Sequence, residues 1–239
     1  IIGKIANGIA DDMLSTTIMA AECTKLFAPA MNTRMYHNRI VQDNIAKLKD
    51  YGYEFIAPAS GHLACGDNGD GKLADVNVIF DSIVKSLAEK DLIGKKFVIT
   101  AGPTREAIDP VRFISNRSTG KMGYALAKRA ALRGADVVLI SGPVSIAPPD
   151  NVKVVNIESA EDMFNAVVKE SEDADVIIKS AAVADYRPVT VSDEKIKKEN
   201  GGMNEIKLER TRDILAYLGE HKKDGQILCG FSMETQNLM

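Results

Sequence analysis

Short apolar runs alternate with helix-like segments through the second half of the sequence, and this alternation limits the fold more than any other feature. Residues 96–102 (KFVITAG) and 135–142 (ADVVLISG) are apolar almost throughout, not at every second position. Strands of this kind are buried on both faces, which is typical of a parallel sheet covered by helices. Similar runs occupy residues 152–157, 174–186 and 226–232. The pattern predicts an α/β fold with helices on both faces of a parallel sheet.

Helix-like segments separate these runs. Residues 121–133 form an Ala-rich helical pattern, and Gly134 is suited to end that helix. Residues 159–171 open with a Ser-x-x-Asp capping pattern and continue as a helix. Residues 204–210 alternate as a strand does, and residues 212–222 are helical.

The first part of the chain has a less regular pattern. Apolar residues recur at helical spacing over residues 1–20, namely Ile2, Ile5, Ile9, Met13 and Leu14. The later patterns predict strands over 25–31 and 53–58, helices over 38–50 and 75–90, and a Gly/Asp-rich loop over 60–73. Residues 91–96 (DLIGKK) are polar and contain Gly. We therefore predict one domain over residues 1–93 and a second over residues 94–239.

Charge and cysteine content argue against several classes of protein. The net charge is −3, with basic and acidic residues intermixed, so we expect no nucleic-acid partner. The widely spaced Cys23, Cys65 and Cys229 do not suit a disulfide framework and indicate a reducing, cytoplasmic location. No apolar run reaches the roughly 18 residues that indicate a membrane span. The chain opens without Met inside a helical pattern, so we expect a piece of a longer protein.

A long loop, residues 101–120, follows the first strand of the second part, where a connection of about two to six residues is usual. It ends with Ser118, Thr119 and Gly120 at a predicted helix start, where backbone N–H groups favour an anion. The sequence is similar to a phosphate loop, but Ser115 stands where the Walker pattern requires its first Gly. Nearby cations are Arg105, Arg112, Arg117 and Lys121. The loop predicts an anion site; a surface loop with solvated arginines is the alternative.

A second loop leaves the sheet at the same predicted edge, because carboxyl ends of parallel strands meet there. Ser180, Ala181 and Ala182 are small enough for a ligand to approach the backbone. Asp185 can accept hydrogen bonds from a ribose or a base. A tight strand exit with a capping Asp is the alternative.

The segment 194–202 (EKIKKENGG) has two interpretations. Its charges and Gly pair are typical of a solvated turn. The alternative is a flap whose Lys closes over a triphosphate, since an ammonium supplies a compact positive charge.

The segment 64–73 (ACGDNGDGKL) fits neither of two common metal sites. From Asp67, the third and twelfth positions are Gly69 and Val78, which excludes an EF-hand. Cys65 lacks the partners of a zinc site. It is either a structural Cys or a proton donor or nucleophile in a mobile loop. The three His residues form no ligand spacing, and the sequence assigns no metal ligand.

Five segments together resemble the bifunctional coenzyme A biosynthesis family, in the order in which that family has them. They are PAMNTRMY, ACGDNGDGKL, TAGPTREAIDPVRFISNRSTGKMG, AAVADYRP and EKIKK. The resemblance covers essentially the whole chain. It implies a Rossmann-like phosphopantothenate–cysteine ligase domain preceded by the C-terminal part of a flavodoxin-like, FMN-dependent phosphopantothenoylcysteine decarboxylase domain. It also implies a homo-oligomer whose ligase site is shared between two subunits.

For the decarboxylase part, the resemblance implies four site residues. Asn32 engages the substrate with Met35 nearby, and Ala30 lies against FMN. Cys65 lies in a flap and protonates the enethiolate that remains after oxidation and loss of CO2. The family's active-site His and most FMN phosphate contacts precede Ile1, so we do not expect this chain alone to decarboxylate.

For the ligase part, the resemblance implies a two-step reaction in which 4′-phosphopantothenate reacts with CTP and Mg2+, and cysteine then displaces CMP. Lys195 acts in formation of the acyl-cytidylate. Asn116 holds the pantothenoyl part and the intermediate, and Arg112 and Ala182 assist the second step. The implied CTP contacts are Ser180, Ala181, Asp185, Lys195, Arg212, Asp213, Ile214, Leu215 and Phe231. The family continues past Met239 with further nucleotide-contacting lysines and dimer-forming strands, so nucleotide binding by this chain is expected to be weak or absent.

Two other hypotheses differ in class. A Rossmann dehydrogenase needs G-x-G-x-x-G after the first strand, and AGPTRE does not supply it. A catalytically incomplete nucleotide- or flavin-binding piece stays open, and CTP binding without product formation would favour it.

Overall fold

The computed structural model describes residues 1–62, 66, 68–197 and 205–233. The chain divides into two compact units, Ile1–Ala88 and Glu89–Met239. This division lies five residues before the predicted domain boundary at residue 93, and the assignment of a function to each domain stays a prediction.

The first unit consists of short elements. Its helices are α1 (Ile2–Ala6), α2 (Met13–Ala20), α3 (Thr33–Tyr36), α4 (Arg39–Asp50) and α5 (Val76–Leu87). Its strands are β1 (Leu26–Phe27), β2 (Glu54–Phe55), β3 (Ala59–His62) and β4 (Asn68–Lys72). Strands β1 and β2 are parallel, and β3 and β4 form an antiparallel hairpin. A small core joins α1 to α4 through Ile2, Ile5, Ala6, Ile45 and Leu48.

Two expectations for this unit were wrong. The helical spacing over residues 1–20 does not form one helix, because Asp12 begins α2 anew by accepting the Ser15 amide at 2.7 Å. Ile9 and Met13 are consequently exposed. The predicted loop over 60–73 contains the β3–β4 hairpin. Its Gly71, at φ 125°, lies so close to the Met31 carbonyl that no side chain would fit.

The second unit contains the parallel sheet that the apolar runs predict. Its strands are β5 (Lys96–Ala101), β6 (Arg105–Ala107), β7 (Phe113–Ser115), β8 (Asp136–Ser141), β9 (Lys153–Asn156), β10 (Val176–Lys179), β11 (Tyr186–Pro188), β12 (Leu208–Arg210) and β13 (Ile227–Gly230). Its helices are α6 (Lys121–Leu132), α7 (Ala160–Ser171) and α8 (Ile214–His221). Five strands form one parallel sheet in the order β13-β10-β5-β8-β9. The predicted α/β class and its parallel sheet are confirmed.

Helices cover both faces of this sheet because successive side chains of a strand point to opposite sides. On β5, Val98 packs in a core with α7 and α8, whereas Ile99 packs in a core with α6. Both side chains are fully buried. The Ser159 capping box of α7 and the left-handed Gly134 after α6 are confirmed.

The structure corrects two features of the second unit. The long loop after β5 is not irregular throughout, because it contains the antiparallel β6–β7 hairpin. Strand β13 is not a buried strand: it lies at the edge of the sheet, and Ile227 is 59% exposed. No helix in the described part of the chain is both long and apolar enough to span a membrane.

Candidate functional site

The strand order places a topological switch point between β5 and β10. These strands are neighbours, but β5 leads to α6 on one face, whereas β10 precedes α8 on the other. Ligands of open α/β sheets bind outside the carboxyl ends of the strands at such a reversal. The long loop and the Ser180–Asp185 loop therefore flank the candidate ligand site.

Hydrogen bonds hold the two loops together at this edge. The Ser180 hydroxyl donates to the Thr100 carbonyl at 2.7 Å, and the Ala181 amide donates to the Thr100 hydroxyl at 3.1 Å. The Ala182 amide then donates to the Gly102 carbonyl at 2.9 Å. Three of the predicted small residues are thus consecutive parts of one fixed backbone edge.

Asn116 bridges the long loop to this edge. Its side-chain amide donates to the Ala182 carbonyl at 3.1 Å and the Val183 carbonyl at 3.3 Å. Ser115, just before it, donates its hydroxyl to the Thr104 carbonyl at 2.8 Å. The structure thus brings Asn116 and Ala182 together, and Asn116 keeps an exposed surface.

The start of α6 approaches the same edge closely. Gly120, at φ 76°, has a left-handed conformation that favours glycine. A methyl group at Gly123 would lie 2.5 Å from Ala101 Cβ and 2.7 Å from the Ser180 hydroxyl. Helix α6 can therefore begin against β5 only because these positions lack side chains.

A cleft of about 380 Å³ lies beside the second loop. It is lined by Lys179, Val183, Asp185, Tyr186, Arg210, Thr211, Arg212, Asp213 and Ile214. The Thr211 amide donates to the Asp185 carbonyl at 2.9 Å and its hydroxyl donates to the Ala184 carbonyl at 2.6 Å, which fixes one wall. Four of the predicted CTP contacts, Asp185 and Arg212 to Ile214, thus share one cleft.

The charged residues of this cleft differ in their partners. Arg212 pairs with Glu161 and stacks on the Phe164 ring at 3.6 Å. Asp213 accepts the Leu215 amide at 2.9 Å and thereby caps α8. Leu215 and Phe231 are exposed and do not line the cleft.

Sequence reasoning missed Lys179. It ends β10, lines the cleft and is only partly exposed. Burial lowers the pKa of its ammonium, an effect that the nearby Asp213 and Asp185 carboxylates oppose. A lysine at the end of an apolar strand, directly before a small-residue loop, was the signal that could have identified it.

Lys195 lies on a segment that is fixed to the turn between β6 and β7. The Ser192 amide donates to the Ile108 carbonyl at 3.0 Å, and the Ile196 amide donates to Asp109 Oδ2 at 3.2 Å. Arg112 donates through Nη2 to the Ile196 carbonyl at 2.9 Å. Lys195 itself is exposed. The structure therefore places the Lys195 backbone beside Arg112.

The predicted decarboxylase residues lie in the first unit. Asn32 begins α3 and accepts the Arg34 amide at 2.8 Å, while Met35 is exposed. Ala30 is exposed after the buried Pro29. Cys65 lies outside the described residues.

The β3–β4 hairpin is attached to α3. Asp70 on β4 contacts His37 Nε2 at 3.1 Å and accepts a hydrogen bond from Ser60. The Ser60 hydroxyl, followed by His37, lowers the pKa of the Asp70 carboxyl. Among the described residues, no group of three or more His, Cys, Asp or Glu side chains could hold a metal ion.

The second unit is thus a Rossmann-like α/β domain with a candidate ligand site at its topological switch point. Comparison with known families specifies this class further. The model of the DNA/pantothenate metabolism flavoprotein C-terminal domain matches residues 92–239, and the flavoprotein model matches residues 1–88. The chain belongs to the DNA/pantothenate metabolism flavoprotein family, and the predicted resemblance to bifunctional coenzyme A biosynthesis proteins is confirmed.

Individual relatives agree with this assignment. The coenzyme A biosynthesis bifunctional protein CoaBC of Bacillus subtilis is 53% identical over 100% of this chain, and that of Haemophilus influenzae is 45% identical over 99%. The chain spans 59% of the length of each. A crystal structure of the C-terminal domain of a CoaBC protein is 52% identical with a TM-score of 0.55, over 63% of this chain and 70% of that one.

Proposed function

We propose that this chain is part of a bifunctional coenzyme A biosynthesis enzyme. Its second unit would join 4′-phosphopantothenate to cysteine at the expense of CTP. Its first unit would contribute to FMN-dependent decarboxylation of the product to 4′-phosphopantetheine. The observation that carries the ligase proposal is the β5–β10 switch point, where Asn116 and Ala182 meet beside the cleft of Asp185.

The nucleotide would lie along the Ser180–Asp185 loop and extend into the cleft. Small side chains at Ser180 and Ala181 leave the backbone accessible, and Asp185 can accept hydrogen bonds from ribose hydroxyls. The cleft volume of about 380 Å³ falls at the lower end of the range of small-molecule sites, about 300–1,000 Å³.

The first chemical step would transfer the nucleotidyl group. A carboxylate oxygen of 4′-phosphopantothenate forms a bond to the α-phosphorus of CTP, and the bond to pyrophosphate breaks. Lys195 would stabilise the negative charge that develops on the phosphates, and Mg2+ would enter with the triphosphate.

The second step would form the amide. The cysteine amine attacks the acyl carbon of the cytidylate, loses a proton, and CMP leaves with the bonding electrons. Asn116 would hold the pantothenoyl part and the intermediate. Arg112 and Ala182 would assist this step: the Arg112 guanidinium supplies donors and positive charge for the tetrahedral oxyanion, and the Ala182 carbonyl holds the side chain of Asn116.

The first unit supplies one part of a flavin site. Ala30 is small and exposed directly after the buried Pro29, so a flat ring can approach the backbone there. FMN, when bound, would supply reversible two-electron chemistry, taking electrons from the cysteine side chain before CO2 is lost and returning them to the resulting enethiolate. Asn32 and Met35 would bind the substrate, and Cys65 would donate a proton to that enethiolate.

The second candidate function is a nucleotide- or flavin-binding piece that is catalytically incomplete. The observation in its favour is that the chain spans 59% of its first two curated relatives. The family's shared ligase site also implies a homodimer, which would be needed for the complete reaction.

Calorimetric titration of CTP with Mg2+ tests the proposal, using the wild-type chain, Lys195→Gln and the exposed Lys222→Gln as a control. We expect Lys195→Gln alone to weaken binding and to stop pyrophosphate release. Binding without pyrophosphate release in the wild type favours the second candidate. Cooperative unfolding of a wild type that does not bind CTP would overturn the proposal for this chain.

A further inference from the structure

We propose that Asp109 is a positioning residue, whose buried carboxylate holds the segment that carries Lys195 against the turn that carries Arg112. The role of this latch in catalysis rests on the proposed ligase function. The latch itself rests on hydrogen bonds between two parts of the chain that are 87 residues apart.

The two oxygens of Asp109 have different partners. Oδ1 accepts the backbone amides of Val111 at 2.9 Å and Arg112 at 2.8 Å, which shapes the turn between β6 and β7. Oδ2 accepts Arg112 Nε at 2.9 Å and the Ile196 amide at 3.2 Å. The first set is local, whereas the bond to Ile196 fixes a remote segment. The side chain of Asp109 is wholly buried, so these bonds replace its hydration.

Arg112 completes the latch from the other side. Its Nη2 donates to the Ile196 carbonyl at 2.9 Å, so both backbone groups of Ile196 are bound. The side chain of Arg112 is 39% exposed. The Arg112 guanidinium pairs with a buried carboxylate and is still partly exposed to solvent. It can therefore hold the Lys195 segment and also contact a ligand.

A second anchor fixes the segment upstream of Lys195. The Ser192 amide donates to the Ile108 carbonyl at 3.0 Å, and the Ser192 hydroxyl donates to the Glu194 carbonyl at 2.7 Å. Lys195 is thus held between two anchored residues while its side chain stays exposed. Fixing the backbone lowers the entropy that its ammonium loses when it contacts an anionic reactant.

The charge of Asp109 suits a latch that stays closed near neutral pH. The Arg112 guanidinium holds the pKa of this carboxyl far below its usual range, and the backbone amides of Val111, Ile196 and Arg112 act in the same direction. The carboxylate therefore keeps all its acceptor sites at any pH near neutrality.

The substitution Asp109→Asn distinguishes the bond to the Lys195 segment from the bonds that shape the turn. An amide can keep the Oδ1 acceptor for Val111 and Arg112, but it places an NH2 donor where Oδ2 stands. That donor would face three other donors, Arg112 Nε, Arg112 Nη2 and the Ile196 amide. The substitution therefore removes the bond to the Lys195 segment and leaves the local acceptor.

The matched control is Asp91→Asn. Asp91 also accepts from an arginine, Arg133 Nε at 2.7 Å, but it lies far from the Lys195 segment in sequence and makes no bond to it. Both substitutions break one carboxylate–arginine pair. Only Asp109→Asn should change the Lys195 segment.

The test is amide hydrogen exchange of residues 192–197 in the whole chain. Loss of a hydrogen bond to a carboxylate should speed exchange at Ile196 by about tenfold or more in Asp109→Asn, and not in Asp91→Asn. Unchanged exchange at Ile196 would overturn the proposal. If Asp109→Asn does not fold, Arg112→Lys serves instead, since lysine cannot bind Asp109 and the Ile196 carbonyl with the same fork.

Measurement of turnover then distinguishes a failure of the latch proposal from a failure of the proposed ligase function. In a wild type that releases pyrophosphate, Asp109→Asn should lower kcat more than it raises the KM for CTP, because Lys195 is displaced and not removed. Faster exchange with an inactive wild type would sustain the latch and contradict the proposed function for this chain. Faster exchange with unchanged kcat would contradict a catalytic role for the latch.

Discussion

The two units differ in the lengths of their strands and in how their apolar faces are covered. In the second unit, β5 and β8 are six residues long, and the last four residues of β5 and the last five of β8 are buried. In the first unit, β1 and β2 are two residues long. On its helices, Met13 is 87% exposed and Leu87 is 79% exposed. The central strands of the second unit are covered on both faces and bury their apolar residues, whereas the described part of the first unit leaves apolar faces of α2 and α5 uncovered.

The difference also affects how the two candidate sites are built. The candidate site of the second unit lies on loops that follow the carboxyl ends of β5 and β10, two central strands that are paired on both sides. Its loops are held by bonds such as that from Ser180 to Thr100. The candidate site of the first unit depends on a four-residue helix and a hairpin connected through Asp70. Sites on rigid elements hold their geometry more accurately than sites on loops.

The largest expected effect comes from truncating one buried leucine in each unit. Leu139→Ala in the second unit should cost about 4 kcal/mol, because a tightly packed sheet cannot collapse into the cavity. Leu48→Ala in the first unit should cost about 2–3 kcal/mol, because its surroundings are less constrained. Denaturant unfolding followed by hydrogen exchange within each unit measures both. Equal losses would contradict the difference in packing.

A pair of glycine substitutions sharpens the comparison within the second unit. Gly123→Ala places a methyl group 2.5 Å from Ala101 Cβ and should destabilise the protein by about 2 kcal/mol. Gly219→Ala lies in α8 with open space around it and should stabilise by about 0.5–1 kcal/mol. Thermal unfolding measures both changes. An unchanged stability of Gly123→Ala would mean that α6 does not pack tightly against Ala101 and Ser180.

Substitution of Lys179 tests whether the cleft is built for a ligand at some cost to stability. Burial disfavours its ammonium, so Lys179→Met should leave thermal stability unchanged or raise it. The same change should weaken CTP binding by about tenfold, the effect of one lost charged hydrogen bond. The matched control is the exposed Lys128→Met. Unchanged CTP affinity would exclude Lys179 from the nucleotide site.

The smallest expected effect concerns Glu170, which joins α7 to the sheet. Lys153 donates to it at 2.8 Å and Lys96 at 3.4 Å, and these ammonium groups, Lys153 first, lower the pKa of its carboxyl. A lowered folded-state pKa contributes stability above the unfolded value, near 4.3, and loses it as pH falls through the folded value. Glu170→Gln should therefore flatten the decline of stability between about pH 5 and pH 3. An identical decline in both proteins would contradict this.

The sequence predicted the second unit more completely than the first for a physical reason. Continuous apolar runs such as residues 135–142 predict buried parallel strands, because short runs rich in Val and Ile suit strands that are buried on both faces. The prediction of a buried strand over residues 226–232 was wrong, because β13, which contains Ile227, lies at the edge of the sheet. The β6–β7 hairpin lacks an alternating apolar pattern, so its existence depends on tertiary bonds such as that from Ser115 to Thr104.

The candidate sites were predictable to different degrees. Small residues after a strand indicated the Ser180–Ala182 edge, and the structure bonds Asn116 to it. The cleft around Lys179 could not be predicted, because it depends on how β10, β12 and the start of α8 meet. Asp109 also escaped attention, since its bond to Ile196 joins parts of the chain that no local pattern connects. The functional roles of all these residues stay predictions.

The most direct test of the central claim is a hydrogen-exchange footprint of CTP with Mg2+ on the whole chain. If CTP binds at the switch point, amide exchange should slow in the Ser180–Asp185 loop and in residues 210–215, with little change in the first unit. Protection confined to other segments, at CTP concentrations that saturate calorimetric binding, would contradict the placement of the nucleotide site between β5 and β10.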